Sequence, residues 1–334
     1  MAIVTPTRLR QTLSTSLAMY SPTLQDLVHN SNVVSGVLKE KGALKPYYGA
    51  EIRVPLIIDK LRAQWFTGYD KLQNSPRELV NSAVFTPKNV AVGWTITGTE
   101  ELANKGKAEI HNLVKIYMQS AQDSMMDAWE TALHADGTGM GGREMIGFGG
   151  ALPIVPNVGV YGGIDRSSVG IWQTSTFHAT TDFPDIGTTW DETTCRKILE
   201  RVVASRSKGK RHATIAIADI KAYQAVSAAC TAIQRIVDSR TAILGFDGLQ
   251  ISTPAGPITV MCANGVNTVM PENTIYGLDL EGLAIYYHPD RNFVPLFEGD
   301  GLRPINQDAT AQYLVWNGEL VMENPRFQWR LVTA

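Results

Sequence analysis

The chain has 334 residues, 44% hydrophobic and 19% charged, with a formal net charge of −2. That is ample material for a buried core; it excludes both the basic excess of a protein whose main partner is nucleic acid and the acidic, apolar-poor make-up of a disordered chain. Cys195, Cys230 and Cys262 stand far apart without metal or redox spacing, which fits inert thiols in a reducing compartment, and no apolar run approaches the ~20 residues of a membrane span.

Residues 1–48 offer no independent core. Leu9, Leu13 and Leu17 fall one helical turn apart, and Leu24–Val28 reads as a second short helix. Arg8, Arg10, Lys39, Lys41 and Lys45 outnumber Asp26 and Glu40. The Ser- and Thr-rich start also has the make-up of an organelle transit peptide. We read the segment as an arm that packs on a neighbouring copy, with folding back onto its own body as the alternative. Residues 49–96 predict a long β-hairpin. Ile52, Val54, Leu56 and Ile58 alternate along one limb, and Val90, Val92, Trp94 and Ile96 along the return limb. Pro55 and Pro87 suit edge strands. Between the limbs lie Trp65, Phe66, Tyr69 and Leu72 among polar neighbours. So long a two-stranded hairpin is not stable alone in water, so its aromatic tip is expected against another protein surface, or tucked into its own domain.

Thr97–Asp136 predicts one long amphipathic helix. Thr97 and Glu100 have the spacing of a capping box, and Leu102, Ile110, Leu113, Val114, Tyr117, Ala121, Met125, Ala128, Trp129, Ala132 and Leu133 line one face. Such a segment would span roughly 55–60 Å, against about 50 Å for a compact ball of this chain length. A break at Gly106 would shorten the straight part to Lys107–Ala135. The shape implied is a plate built along a spine. Gly137, Gly139, Gly141 and Gly142 then end the helix.

Beyond the glycines come Gly162-Gly163-Ile164-Asp165-Arg166 and Trp172. Trp190–Ser207 predicts a helix capped by Asp191, Ala213–Ala218 a buried strand, and Asp219–Asp238 an alanine-rich helix. Leu249–Ser252, Ile258–Cys262 and Thr274–Tyr287 read as strands, and Tyr313–Met322 with Phe327–Val332 as a terminal pair against the spine.

A long hairpin, a long helix ending in acid and glycines, and then GGIDR with Trp172 together resemble tailed-bacteriophage major capsid proteins of the Hong Kong 97-like fold. The resemblance implies an α+β chain divided into an N-terminal arm (1–48), an extended loop (49–96), a peripheral domain with the spine helix (97–189), an axial domain (190–295) and a return to the periphery (296–334). It implies a head protein that self-assembles into hexamers and pentamers of an icosahedral virion shell around double-stranded DNA, put together in the host cytoplasm. The partners implied are other copies of itself, a portal, packaged DNA held non-specifically and, because the sequence opens at the arm, a separate scaffolding protein. No cofactor, membrane or catalytic activity is implied. An encapsulin-like nanocompartment shell protein and a soluble oligomeric enzyme of unrecognised class remain the alternatives.

The candidate inter-subunit contacts are therefore Leu9, Leu13, Leu17, Trp65, Phe66, Tyr69 and Leu72. Arg206, Lys208, Lys210 and Arg211, with His212, fall at the end of the Trp190–Ser207 helix. They either complement its dipole or meet DNA phosphates or a neighbour's acids. The sequence carries none of the enzyme signatures that its glycine, histidine or serine residues could form. Gly137–Gly142 follows a helix instead of a strand, so it cannot offer donors to a pyrophosphate, and it reads as a flexible turn. The histidines lack zinc spacing, and no serine sits in a GxSxG elbow.

Overall fold

The computed structural model describes residues 33–59, 61, 63–72, 79–99, 107–231, 248–263, 269–296 and 306–334. Leu9, Leu13 and Leu17, and with them most of the expected arm, lie outside the described residues. The first described element is helix α1 (Val33–Glu40). Strands β1 (Leu44–Pro46), β2 (Ile52–Ile57), β3 (Val80–Phe85) and β4 (Lys88–Thr97) follow, then the spine helix α2 (Lys107–His134).

Helix α2 is 28 residues, about 42 Å at 1.5 Å per residue. Residues 100–106 lie outside the described residues, and the expected break at Gly106 falls there. Thr97 ends β4, paired with Ala309, and directly precedes the helical residues Gly98 and Thr99, while Glu100 of the expected capping box lies outside the described residues. Ala121, Met125, Trp129 and Leu133, four apart, are the buried stripe. Of the other stripe residues, Tyr117, Ala128 and Ala132 are half-buried, while Leu102, Ile110, Leu113 and Val114 lie outside the described side chains.

After the helix the chain curls back on the helix end. A Cβ at Gly147 would stand 2.2 Å from the carbonyl oxygen of Ala132, so only glycine permits the approach. There follow a helical turn (Phe148–Ala151), the small hairpin β5 (Val160–Tyr161) and β6 (Ile164–Asp165), and β7 (Ser175–His178). Helix α3 (Cys195–Ser205), β8 (Ile215–Ala218), α4 (Ile220–Thr231), β9 (Gly248–Thr253) and β10 (Gly256–Cys262) come next. Strands β11 (Thr274–Leu278), β12 (Leu283–Pro295), β13 (Ala309–Met322) and β14 (Trp329–Val332) close the chain. Asp191 does cap the approach to α3: its Oδ1 accepts the N–H groups of Thr193 and Thr194 at 2.9 and 3.0 Å.

The strands form a four-stranded sheet ordered β1-β12-β13-β4 and a six-stranded sheet ordered β7-β14-β11-β8-β10-β9. The six-stranded sheet is a partition between two cores. Ala216 and Ala218 of β8, with Ile275, Trp329 and Leu331, meet Ile198, Leu199, Val202 and Val226 of α3 and α4. Ile215 and Ile217 of β8, with Met261, Tyr276 and Leu278, point into a core shared with the spine helix and the four-stranded sheet. Alternation along each strand thus sends successive residues to different cores. In the spine core the Trp129 ring meets Trp316 edge-on, centroids 4.3 Å apart.

Two sequence expectations are corrected. The return limb of the long hairpin is Val80–Phe85, not Val90–Ile96: β2 pairs with β3 from Ile52↔Phe85 to Ile57↔Val80, whereas β4 pairs with β13. The expected terminal pair does not form either, because β13 belongs to the four-stranded sheet and β14 to the six-stranded one. The strands β7 and β14, on either side of 190–295 in sequence, lie in the six-stranded sheet, and β12 lies in the four-stranded one.

Candidate assembly surface

Strands β2 and β3 form a ribbon with no further strand on either edge among the described residues. Pro55, opposite Ser82, is tolerated there because no third strand needs its missing N–H. Near the root the ribbon buries Ile52, Val54, Ala83 and Phe85, while its far pair, Ile57 and Val80, is exposed.

The GGIDR segment holds the root. Gly162 and Gly163 have φ of +58° and +74°, the left-handed pair that a two-residue hairpin turn between β5 and β6 requires. The Gly162 carbonyl accepts the Val84 N–H at 2.9 Å, and a Cβ on Gly162 would sit 2.7 Å from the Phe85 ring. Phe85 meets Tyr161 edge-on at 5.0 Å. The Tyr161 hydroxyl accepts the Met322 N–H at 3.0 Å, and its carbonyl accepts the Trp172 indole N–H at 2.8 Å. Arg166 lies over the Tyr161 ring at 5.0 Å and donates to the carbonyls of Gly150 and Ala151 at 2.9 and 3.1 Å. Burial lowers the Arg166 pKa and raises that of Tyr161. One socket therefore ties the ribbon to the chain returning from the spine and to β13.

Beyond the root, Trp65 and Tyr69 are as exposed as free side chains, at 101% and 104%, and Leu61, Phe66 and Leu72 are exposed too. All four loop residues singled out in the sequence are thus exposed on the finger that β2 and β3 support. Sequence reasoning missed a second open apolar strip, formed by Ile154, Val155, Val158 and Val160 beside the socket. Its only signal was an apolar run broken by Pro153 and Pro156, with no helical or strand period.

The basic cluster divides. The Arg211 Nε donates to the buried Asp279 carboxylate at 2.8 Å and its guanidinium covers Phe327 at 5.0 Å. Arg206 follows the last turn of α3, its N–H shared by the carbonyls of Val202, Val203 and Ala204, and its guanidinium covers Phe177 at 5.6 Å. Burial lowers its pKa, assisted by the charge of Arg326. The His212 ring nitrogens face the carbonyls of Lys210 and Pro257 at 3.1 and 3.2 Å. Lys208 and Lys210 stand exposed in a tight turn.

Two buried ionisable groups flank the spine's end. Glu319 accepts the Ile146 N–H at 2.7 Å through Oε1, while Oε2 is buried without a partner. Burial pushes its pKa up to about 8. His134 stacks on Tyr276 at 6.2 Å, and burial pulls its pKa down to about 4. Burial also raises the pKa of Cys195 to about 11, and no disulfide joins the three cysteines. A cavity of about 400 Å³ is lined by Thr180, Thr188, Thr189, Trp190, Lys221, Asn273 and Thr333, with Lys221 paired to Glu272 at 2.6 Å. Among the described residues no group of His, Cys, Asp or Glu stands close enough to hold a metal ion, and no helix is long and apolar enough to cross a membrane.

The fold is shared with solved capsids. The chain is similar to the subunit of the Cyanophage A-1(L) capsid asymmetric unit, with a TM-score of 0.64 at 13% identity over 87% of this chain and 90% of that one. The capsid of Myoviridae Phage XM1 gives 0.51 at 10% identity over 88% and 91%, and the capsid of the native GTA particle 0.51 at 12% over 89% and 90%. No family model matches this chain, and no curated protein matches it in sequence. At such identities the likeness is one of fold: α+β, of the Hong Kong 97-like capsid type.

Proposed function

We propose that this chain, which has the Hong Kong 97-like capsid fold, is the major head subunit of a tailed phage. Its copies assemble into hexamers and pentamers of an icosahedral shell around double-stranded DNA, with a portal and a separate scaffolding protein as further partners. The observation that carries this reading is the finger. A rigidly socketed two-stranded ribbon presents Trp65, Phe66, Tyr69 and Leu72 to water, and a subunit working alone gains nothing from that exposure. Placed on neighbours, the same side chains become anchors, and modest pairwise contacts sum cooperatively over a closed surface. Lys208 and Lys210 are exposed cations available to phosphates or to a neighbour's acids.

The test is electron microscopy of the chain expressed alone and together with its portal and scaffolding partners. Closed shells, with nuclease-protected DNA when packaging partners are present, are expected. A monodisperse small oligomer under every condition would refute the reading. Shells filled with enzyme instead of DNA would favour the nanocompartment alternative.

A further inference from the structure

We propose that the spine core holds a small monovalent anion, of the size of chloride, between Arg330 and Tyr276, beneath the end of the spine helix. Arg330 is buried in β14 directly opposite Tyr276 of β11, and its guanidinium lies 5.6 Å from the centre of that ring. Among the described residues no carboxylate stands within ion-pair distance of it. Its side-chain bond to the Leu152 carbonyl is 3.4 Å, the long limit for a hydrogen bond. The Arg330 Nε is buried without a partner, and so are the Tyr276 hydroxyl and the His134 Nδ1. His134 stacks on Tyr276 with centroids 6.2 Å apart, and Phe148 covers the same ring at 5.5 Å. The Thr174 hydroxyl is buried and unpartnered too, two residues before Thr176, the register partner of Arg330 on β7.

The chemistry of this set points to an anion and not to water. The guanidinium and the two hydroxyls donate, and the His134 ring donates from Nδ1 in one of its two tautomers. A guanidinium keeps its proton, so a positive charge lies in the dry interior with no opposite charge against it, which is costly. Elsewhere in the chain the same need is met directly, since Arg211 meets the buried Asp279 carboxylate at 2.8 Å. A water molecule would satisfy some of the donors but would bring no charge, whereas a halide accepts from each of them and neutralises the cation. Phe148 and Leu152, both fully buried, close the group off, which leaves the place to a small ion and not to a phosphate ester or a metabolite. Bound there, the anion would tie the end of the spine helix to the six-stranded sheet. The proposal is independent of the shell reading.

The test is thermal unfolding of the purified full chain at fixed ionic strength, with sodium gluconate exchanged stepwise for sodium chloride. A saturable rise of about 3–6 °C is expected, because an ion that binds only the folded state stabilises it by mass action. Tyr276→Phe removes one donor and keeps the ring. In gluconate it is expected to unfold at or above the wild-type temperature, since an unpaired buried hydroxyl is gone, and to show less than about half of the chloride rise. Arg330→Gln is expected to lose the rise altogether, and Arg330→Lys, which keeps the charge, to recover part of it. In crystals grown with bromide, an anomalous difference peak is expected beside the Arg330 Nε. Should Arg330→Gln fail to fold, Tyr276→Phe and the bromide peak decide alone. Identical unfolding in chloride and gluconate overturns the proposal, because water then serves the donors. An equal chloride rise in wild type and Tyr276→Phe overturns it as well, by placing the ion elsewhere, and so does a bromide map without a peak at Arg330.

Discussion

Glu319 is a carboxylic acid whose burial outweighs the hydrogen bond from the Ile146 N–H and the attraction of the Lys88 charge, so it stays protonated up to about pH 8. The unfolded carboxyl, at its ordinary value of 4.5, gives up its proton much earlier. Between those two values the native state holds a proton the unfolded state has lost, so stability falls as pH rises through the window. Glu319→Gln has no proton to lose. Thermal unfolding of unassembled subunits should show the two proteins together near pH 4.5 and the variant more stable by roughly 3–5 kcal/mol at pH 8. His134 sets the opposite slope. Its folded pKa of about 4 lies below the ordinary 6.5, so stability falls as pH drops from 6.5 towards 4. The glutamine variant should leave that acid limb unchanged. The socket turn gives a second test at this scale. Gly163 has open space around a would-be Cβ, so Gly163→Ala should cost only the left-handed penalty of about 1–2 kcal/mol. Gly162→Ala should cost clearly more, because its methyl also meets the Phe85 ring.

Arg166 joins two elements that sequence order alone would not place together. Its guanidinium spans the carbonyls of Gly150 and Ala151 and covers Tyr161, a geometry that a lysine ammonium cannot reproduce. Arg166→Ala should lower stability by about 1–3 kcal/mol and Arg166→Lys should recover little of it, with protease cleavage of the finger root rising in both. The residues of this socket were legible as a motif, but their role was not, since nothing local says which strand a glycine turn will touch. The same limit explains β4. Alternation at Val90, Val92, Trp94 and Ile96 marks a strand, yet its partner β13 lies more than 200 residues on, and register is a non-local property. The spine helix was legible because its 3.6-residue period is local. Its expected first turns, residues 100–106, lie outside the described residues. Glu319, by contrast, was hidden. In a strand covered on both sides, polar and apolar residues no longer report which face is wet.

At the scale of the whole molecule, the two cores and the finger have different duties. Each face of the six-stranded sheet is buried by the chain's own elements, so the body closes by itself, while the tip residues Trp65, Phe66, Tyr69 and Leu72 belong to neither core. Removing Gln64–Leu72 should therefore leave circular dichroism unchanged and the unfolding temperature within a few degrees of wild type, since fully exposed side chains contribute little to intramolecular stability. Assembly should respond in the opposite way. Every subunit in a closed shell repeats the same contacts, so losing one anchor per copy multiplies over the surface, and the shortened chain should sediment as a folded monomer at concentrations where the wild type forms particles. A variant that unfolds would show that the finger belongs to the subunit's own core. A variant that still forms shells at wild-type yield would show that closure depends on other surfaces. Only a folded chain that stays alone fits a body whose exposed aromatics serve its neighbours.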